Sequence, residues 1–154
     1  MIPLDDTDIA ILEALQANAR TSMTELGERL GVAASTCQRR LARLEESGLI
    51  ESYTIHLDEE RLGYDGGVMV NITLNSQSET ALRAFEAAVG ACPEVVECYL
   101  MTGDADYLLR VVVRDMRDFE RIHKTHLSRL PHVTRIQSNM ALRRIVRKPP
   151  PIPS

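Results

Sequence analysis

The chain has 154 residues, 44% of them hydrophobic, 26% charged and 4% aromatic, with no Trp. That is the profile of one ordinary globular domain or two small ones, with a core of Leu, Ile, Val, Ala and Met, and it excludes a low-complexity chain. The net charge is −4, so a uniformly basic nucleic-acid binder is excluded too, and any case for DNA rests on local charge.

The charge is uneven. Residues 1–62 hold six Arg and twelve acids, a net of −6, and residues 63–154 a net of +2. The opening Met1-Ile2-Pro3-Leu4-Asp5-Asp6 lacks the basic-then-apolar pattern of a signal peptide. The apolar runs Val68 to Leu74 and Leu108 to Val113 are of strand length, too short to span a membrane. Cys37, Cys92 and Cys98 form no C-x-x-C pair, so reduced thiols and a cytoplasmic location are expected.

In chain order, Asp5 or Asp6 caps a helix with Ile9, Ile11, Leu12 and Leu15 at helical spacing. Ser22-Met23-Thr24-Glu25 is a capping box opening a short helix that Gly31 ends. A third helix runs from about Ala34 to Ser47, with Cys37, Leu41 and Leu44 on one face, and Gly48 stops it. Leu49 to Leu57 reads as a two-strand wing or a strand leading out. The acidic, glycine-containing stretch 58–67 is the expected linker.

Beyond it the period changes. Val68 to Leu74 is a strand, Ser78 opens a helix, Val95 to Thr102 and Tyr107 to Arg114 are strands joined by a turn, Asp115 caps a helix reaching Leu130, and Thr134 to Arg147 holds a last strand. The order βαββαβ is a ferredoxin-like unit. The expected fold is α+β: a winged helix-turn-helix over 1–57, the linker 58–67, the ferredoxin-like domain 68–147 and a Pro-rich tail 148–154.

The helices on either side of Leu30-Gly31-Val32 fit a helix-turn-helix. The first exposed residues of a recognition helix meet base edges in the major groove. Ser35, Thr36, Gln38 and Arg39 hold those places, and Arg40 and Arg43 are placed to reach phosphates. No acid interrupts this stretch before Glu45; the acids of the first helix are expected to face away from DNA. The competing reading is a three-helix packing module with a solvated arginine face.

Leu4-Asp5 with Asp8 and Ile11-Leu12, then Leu15-Gln16, Ala19-Arg20-Thr21-Ser22 and Glu25-Leu26, resemble the opening of the Lrp/AsnC family, the leucine-responsive and asparagine-type regulators. Arg40, Arg43-Leu44-Glu45, Gly48-Leu49-Ile50, Tyr53 and Leu62-Gly63 continue the match. So do Thr102-Gly103-Asp104-Ala105-Asp106-Tyr107 and Leu130-Pro131-His132-Val133. The resemblance spans roughly Leu4 to Val146, and the order and spacing of the motifs make it specific. There are two departures. Ala33 stands where the family has a capping Ser, so either Ala33 or Ser35 begins the recognition helix. His132 stands where the family has Gly.

The resemblance implies a sequence-specific regulator of transcription on double-stranded DNA. It also implies homodimers formed through the sheet, often assembled to octamers, and an amino-acid effector bound between subunits near the turn, with no cofactor. By position, the effector residues are Leu100, Thr102, Gly103, Asp104, Asp106, Met116, Asn139, Met140 and Ala141. From the residues alone the turn has a second reading, as a local backbone device of Asp and Gly. An architectural DNA-binding protein that senses amino acids but has little sequence preference is the alternative function. No nucleophile–base pair suggests an enzyme, and His123 with His126 lack a third metal ligand.

Overall fold

Two neighbouring carboxylates start the chain's first helix. Asp5 stands in extended backbone and accepts the Asp8 amide at 2.9 Å, while the Asp8 carboxylate accepts the Asp5 amide at 3.2 Å. This reciprocal box opens α1 (Asp6–Ala17) in the computed structural model, which describes residues 3–153. The box expected at Ser22 is half made: the Ser22 hydroxyl accepts from the Glu25 amide at 3.2 Å ahead of α2 (Met23–Leu30). Gly31, at φ 67°, ends α2 in the left-handed region.

The third helix, α3 (Ala34–Glu46), begins at Ala33, not at Ser35. The Ala33 carbonyl takes the Thr36 and Cys37 amides, and no side chain caps the helix. An alanine there costs about 1 kcal/mol against serine. The helix is held instead by its buried stripe: Cys37, Leu41 and Leu44 pack with Ile11, Ala14, Leu15 and Leu26. The Cys37 thiol is fully enclosed in that core, which makes it a packing group rather than a reactive one.

The expected wing strands are absent: no strand forms over residues 49–57. The run has no Asn-Gly or Asp-Gly to close a tight hairpin, and a lone run has no ladder partner. Tyr53 ties it back, its hydroxyl donating to Glu45 at 2.6 Å. The chain from Val146 onward belongs to this first unit. Gln16 donates to the Pro150 carbonyl at 3.2 Å, and Arg147 meets His56 at 2.6 Å.

The second compact unit is Leu57–Ile145. Its order is β1 (Gly67–Leu74), α4 (Glu79–Gly90), β2 (Val95–Leu100), β3 (Tyr107–Val112), α5 (Met116–Thr125) and β4 (Val133–Ala141). The sheet order is β2-β3-β1-β4, all antiparallel. This is the ferredoxin-like arrangement that the element order implies. The stretch 58–67 is fastened to this unit: Glu59 pairs with Arg110 at 3.0 Å, the Asp65 amide donates to Val113 at 2.9 Å, and Gly67 is already in β1.

Strict alternation along β1 decides the layers. Val68, Val70, Ile72 and Leu74 are buried against Phe85 and Val89 of α4 and Ile122 of α5. Met69, Asn71 and Thr73 point to the other face and are half-buried. The last helix stops at Thr125 and yields to a 3-10 turn, Leu127–Arg129, instead of reaching Leu130. Pro131 explains the end of that turn, because the residue before a proline is pushed out of the helical region, and Leu130 has ψ 136°.

His132 has φ 64°, the only described non-glycine residue in the left-handed region. Its carbonyl accepts the Asn75 amide at 2.8 Å, which fixes the turn into β4. A non-glycine residue held there costs about 1–2 kcal/mol. His132→Gly is therefore expected to stabilise the second unit by up to about 1 kcal/mol, since glycine's extra chain entropy cancels part of the gain. Thermal unfolding of the two chains checks this; a lower midpoint for the glycine form would refute it.

Candidate nucleic-acid interface and ligand site

The helix pair α2–α3 is set by a close approach. Gly27 packs so tightly under the turn that a Cβ there would lie 2.6 Å from the Val32 carbonyl oxygen and 3.1 Å from the Ala34 nitrogen. The Val32 amide donates to the Gly27 carbonyl at 3.0 Å. This contact fixes where α3 begins and which side chains leave the unit. Ser35, Gln38 and Arg39 are exposed and Thr36 is half-buried. Among the described residues Arg39 has no ion-pair partner.

Arg40 and Arg43 are not free in the same way. Arg40 Nη1 donates to Asp5 at 2.6 Å and to Asp8 at 2.9 Å, and Arg43 Nη2 donates to the other Asp8 oxygen. The acids of α1 are expected from the sequence to face away from DNA, but Asp8 of α1 and its N-cap Asp5 lie against the arginines of α3. The physical reason is burial. Asp8 is only 1% exposed, and a buried carboxylate must be paired. Burial pushes the Asp8 carboxyl up, but the hydrogen bonds from Arg43, the Asp5 amide and Arg40 outweigh it and hold it below the usual carboxylate range. The Asp8 amide and Arg40 likewise hold Asp5 down. Pro3, Leu4, the two acids and Arg39, Arg40 and Arg43 line a shallow cleft of about 420 Å³. Sequence spacing could not show this, because the partners lie more than thirty residues apart (|i−j| 32 and 35).

In the second unit the expected effector residues divide. Leu100, Thr102, Gly103 and Asp104 run together at the end of β2 and into the turn, all exposed. Gly103, at φ 131°, takes a backbone shape that other residues rarely adopt. Asp106 belongs to the structure rather than the surface. It is 8% exposed, and its two oxygens are taken by the Leu74 amide at 2.7 Å and the Gln77 side chain at 2.8 Å. Its carboxylate clamps the turn to the end of β1.

Asn139, Met140 and Ala141 lie on β4, the edge strand opposite β2. Three strand spacings of about 4.8 Å separate β2 from β4, and Leu100 stands across the sheet from Ile136, so Asn139, Met140 and Ala141 are also displaced along β4 away from it. Met116 is exposed at the start of α5. One chain therefore does not gather all nine residues into one pocket. What it does form beside the turn is a cleft of about 380 Å³ with Thr102 and Asp104 on one side and Asn71, Thr73, Arg135 and Gln137 among its other walls. The positional match to the family missed these strand residues. Their signal was the alternation itself: polar Asn71 and Thr73 occupy the places between the buried residues of β1. Among the described residues no group of three His, Cys, Asp or Glu is placed to hold a metal ion, and no helix is long and apolar enough to cross a membrane.

Two family models match the chain: a winged helix-turn-helix DNA-binding model over residues 4–51 and the Lrp/AsnC ligand binding domain over residues 67–151. Among characterised relatives, the Bkd operon transcriptional regulator of Pseudomonas aeruginosa is 39% identical over 99% of this chain and 100% of its own. The proline dehydrogenase transcriptional activator of Rhodobacter capsulatus is 39% identical over 96% of each. Among solved structures, a transcriptional regulator of Neisseria meningitidis in complex with L-Met superposes with a TM-score of 0.90 at 33% identity, covering 98% of this chain and 97% of that one. E. coli AsnC also gives 0.90, at 25% identity, over 98% of this chain and 100% of its own. These are regulators of transcription, not enzymes, and with both halves matched in order the chain belongs to the Lrp/AsnC family of DNA-binding transcriptional regulators.

Proposed function

We propose that this regulator reads a near-palindromic DNA site through α3 and that its activity or assembly responds to an amino acid bound by the second unit. Ser35, Thr36, Gln38 and Arg39 meet base edges, with Gln suited to adenine and Arg to guanine. The observation that carries this reading is the exposed, ion-pair-free Arg39 beside exposed Gln38 on the second helix of the pair. Arg40 and Arg43 contribute from positions fixed by Asp5 and Asp8. The architectural alternative needs abundant free positive charge for sequence-blind phosphate binding. The neutralised arginines of α3 speak against it.

The effector site lies at the Thr102–Asp104 turn, where Asp104 faces an ammonium and Arg135 a carboxylate across the same cleft. Support comes from the L-Met complex of the Neisseria meningitidis relative. Leu100 adjoins this turn in the same chain, and Met116, Asn139, Met140 and Ala141 complete the site from a second copy, since one chain keeps them apart from it. The assembly is a homodimer through the sheet face of Met69, Asn71 and Thr73, growing to an octamer, and it works in the cytoplasm without a cofactor.

The test is a gel shift on DNA from upstream of the gene itself and its neighbours, with and without a panel of amino acids. Specific retardation that an amino acid alters is expected. Retardation equal on random DNA would refute the reading. Arg39→Ala is expected to cut the preference for the cognate site by about tenfold, the worth of one base contact of roughly 1–3 kcal/mol, and to change binding to random DNA much less.

A further inference from the structure

Among the described residues, Asp8 and Asp106 are the only buried acidic side chains. Asp106 holds a turn within its own unit. Asp8 does something different: it binds two side chains of the helix assigned to DNA. One oxygen takes Arg40 Nη1 at 2.9 Å, and the other takes Arg43 Nη2. Asp5 adds a second acceptor for Arg40 at 2.6 Å. Arg40 Nε is buried with no hydrogen-bond partner. The Arg40 guanidinium therefore sits where the carboxylates hold it, at the expense of one of its own N–H groups. Arg43 is 48% exposed, so its remaining N–H groups face solvent beside Arg39.

Two consequences follow from charge and geometry. The two acids cancel the two arginines, and Arg39 is left as the uncompensated cation of this face. A guanidinium fixed through one nitrogen to a buried carboxylate also keeps one orientation, whereas a free arginine samples many rotamers and settles on any phosphate in reach. We propose that Asp8 is a positioning residue for DNA recognition. Its carboxylate aims Arg43 and Arg40 and withholds their charge from indiscriminate phosphate contact, so that specificity is gained at the expense of overall affinity. The inference rests on the reading that α3 faces DNA.

The test uses the full-length protein, Asp8→Asn and Asp5→Asn. Asp5→Asn keeps the helix cap, because asparagine caps as well as aspartate. Nitrogen-detected NMR of the arginine side chains should show restricted guanidinium rotation for Arg40 and Arg43 in the native chain and its release in Asp8→Asn. Affinity for random DNA should rise, and the slope of log K against log salt should steepen by about one unit for each arginine released. The ratio of cognate to random affinity should fall by about tenfold, as for one misplaced base or phosphate contact. Asp5→Asn should move all three readouts the same way and by less; it carries the test if Asp8→Asn does not fold. A merely structural role for Asp8 would lower cognate and random affinity together at an unchanged slope, and that result overturns the proposal. Release of both arginines with an unchanged affinity ratio also overturns it, while leaving the DNA reading intact. A native chain that shows no preference for its cognate DNA removes the DNA reading and the proposal with it.

Discussion

Gly27→Ala is expected to lower the thermal midpoint of the first unit and to weaken cognate DNA binding together. Alanine is the better helix former by about 1 kcal/mol, so on an open helix the change would stabilise. Here the added Cβ would meet the Val32 carbonyl oxygen at 2.6 Å and the Ala34 nitrogen at 3.1 Å. Both are backbone atoms and cannot turn aside like a flexible side chain. The turn must move, and with it the start of α3 and the Gly27–Val32 hydrogen bond at 3.0 Å. Overpacking of this kind costs about 1–3 kcal/mol, which exceeds or cancels the helix gain. In a unit of this size each kcal/mol is worth about 4–8 °C. Calorimetry and a gel shift read the two effects. An equal or higher midpoint with unchanged affinity would show that the helix pair tolerates the methyl group.

The second large effect is expected at Asp106. Asp106→Ala removes the acceptor for the buried Leu74 amide and for Gln77. An orphaned buried donor costs about 1–3 kcal/mol, more when its partner was charged. The variant should therefore unfold earlier and lose its response to amino acids through a loosened turn. Asp106→Asn keeps one oxygen for Leu74, while the Gln77 amide can turn to meet the new NH2 group, so it should recover most of the stability. Asp104→Ala supplies the contrast. Asp104 is exposed and makes no hydrogen bond among the described residues, so its loss should leave the midpoint within about 0.5 kcal/mol, as for ordinary surface positions, while weakening the effector. Chemical denaturation and calorimetry with amino acids separate the two acids. Equal destabilisation by both alanines would refute this division of labour.

The turn Gly103-Asp104-Ala105-Asp106 shows how far the sequence could be read. Asp and Gly at a strand junction announce a turn because each favours it locally, and the turn is where it was expected. Which acid faces solvent is not a local matter. It depends on β1 ending beside the turn, with the unpaired Leu74 amide pointing at Asp106, and Leu74 lies 32 residues away. The wing is the converse case. Leu49 to Leu57 has strand-forming residues, but a strand needs a ladder partner, and none of the described strands pairs with this run.

The feature that carries the function follows the same division. The sequence by itself determined the helix pair, the βαββαβ order and the exposed Gln38 and Arg39, because periodicity, caps and turn residues act over a few positions. It also determined the family, because the motifs stand in order along nearly the whole chain. Only the tertiary structure decided that Arg40 and Arg43 are held by Asp5 and Asp8, that Asp106 is a clamp, and that β4 lies three strand spacings across the sheet from β2. The physical reason is common to all three: neighbours are chosen by packing between segments far apart in the chain, and a buried charge must find its partner among them.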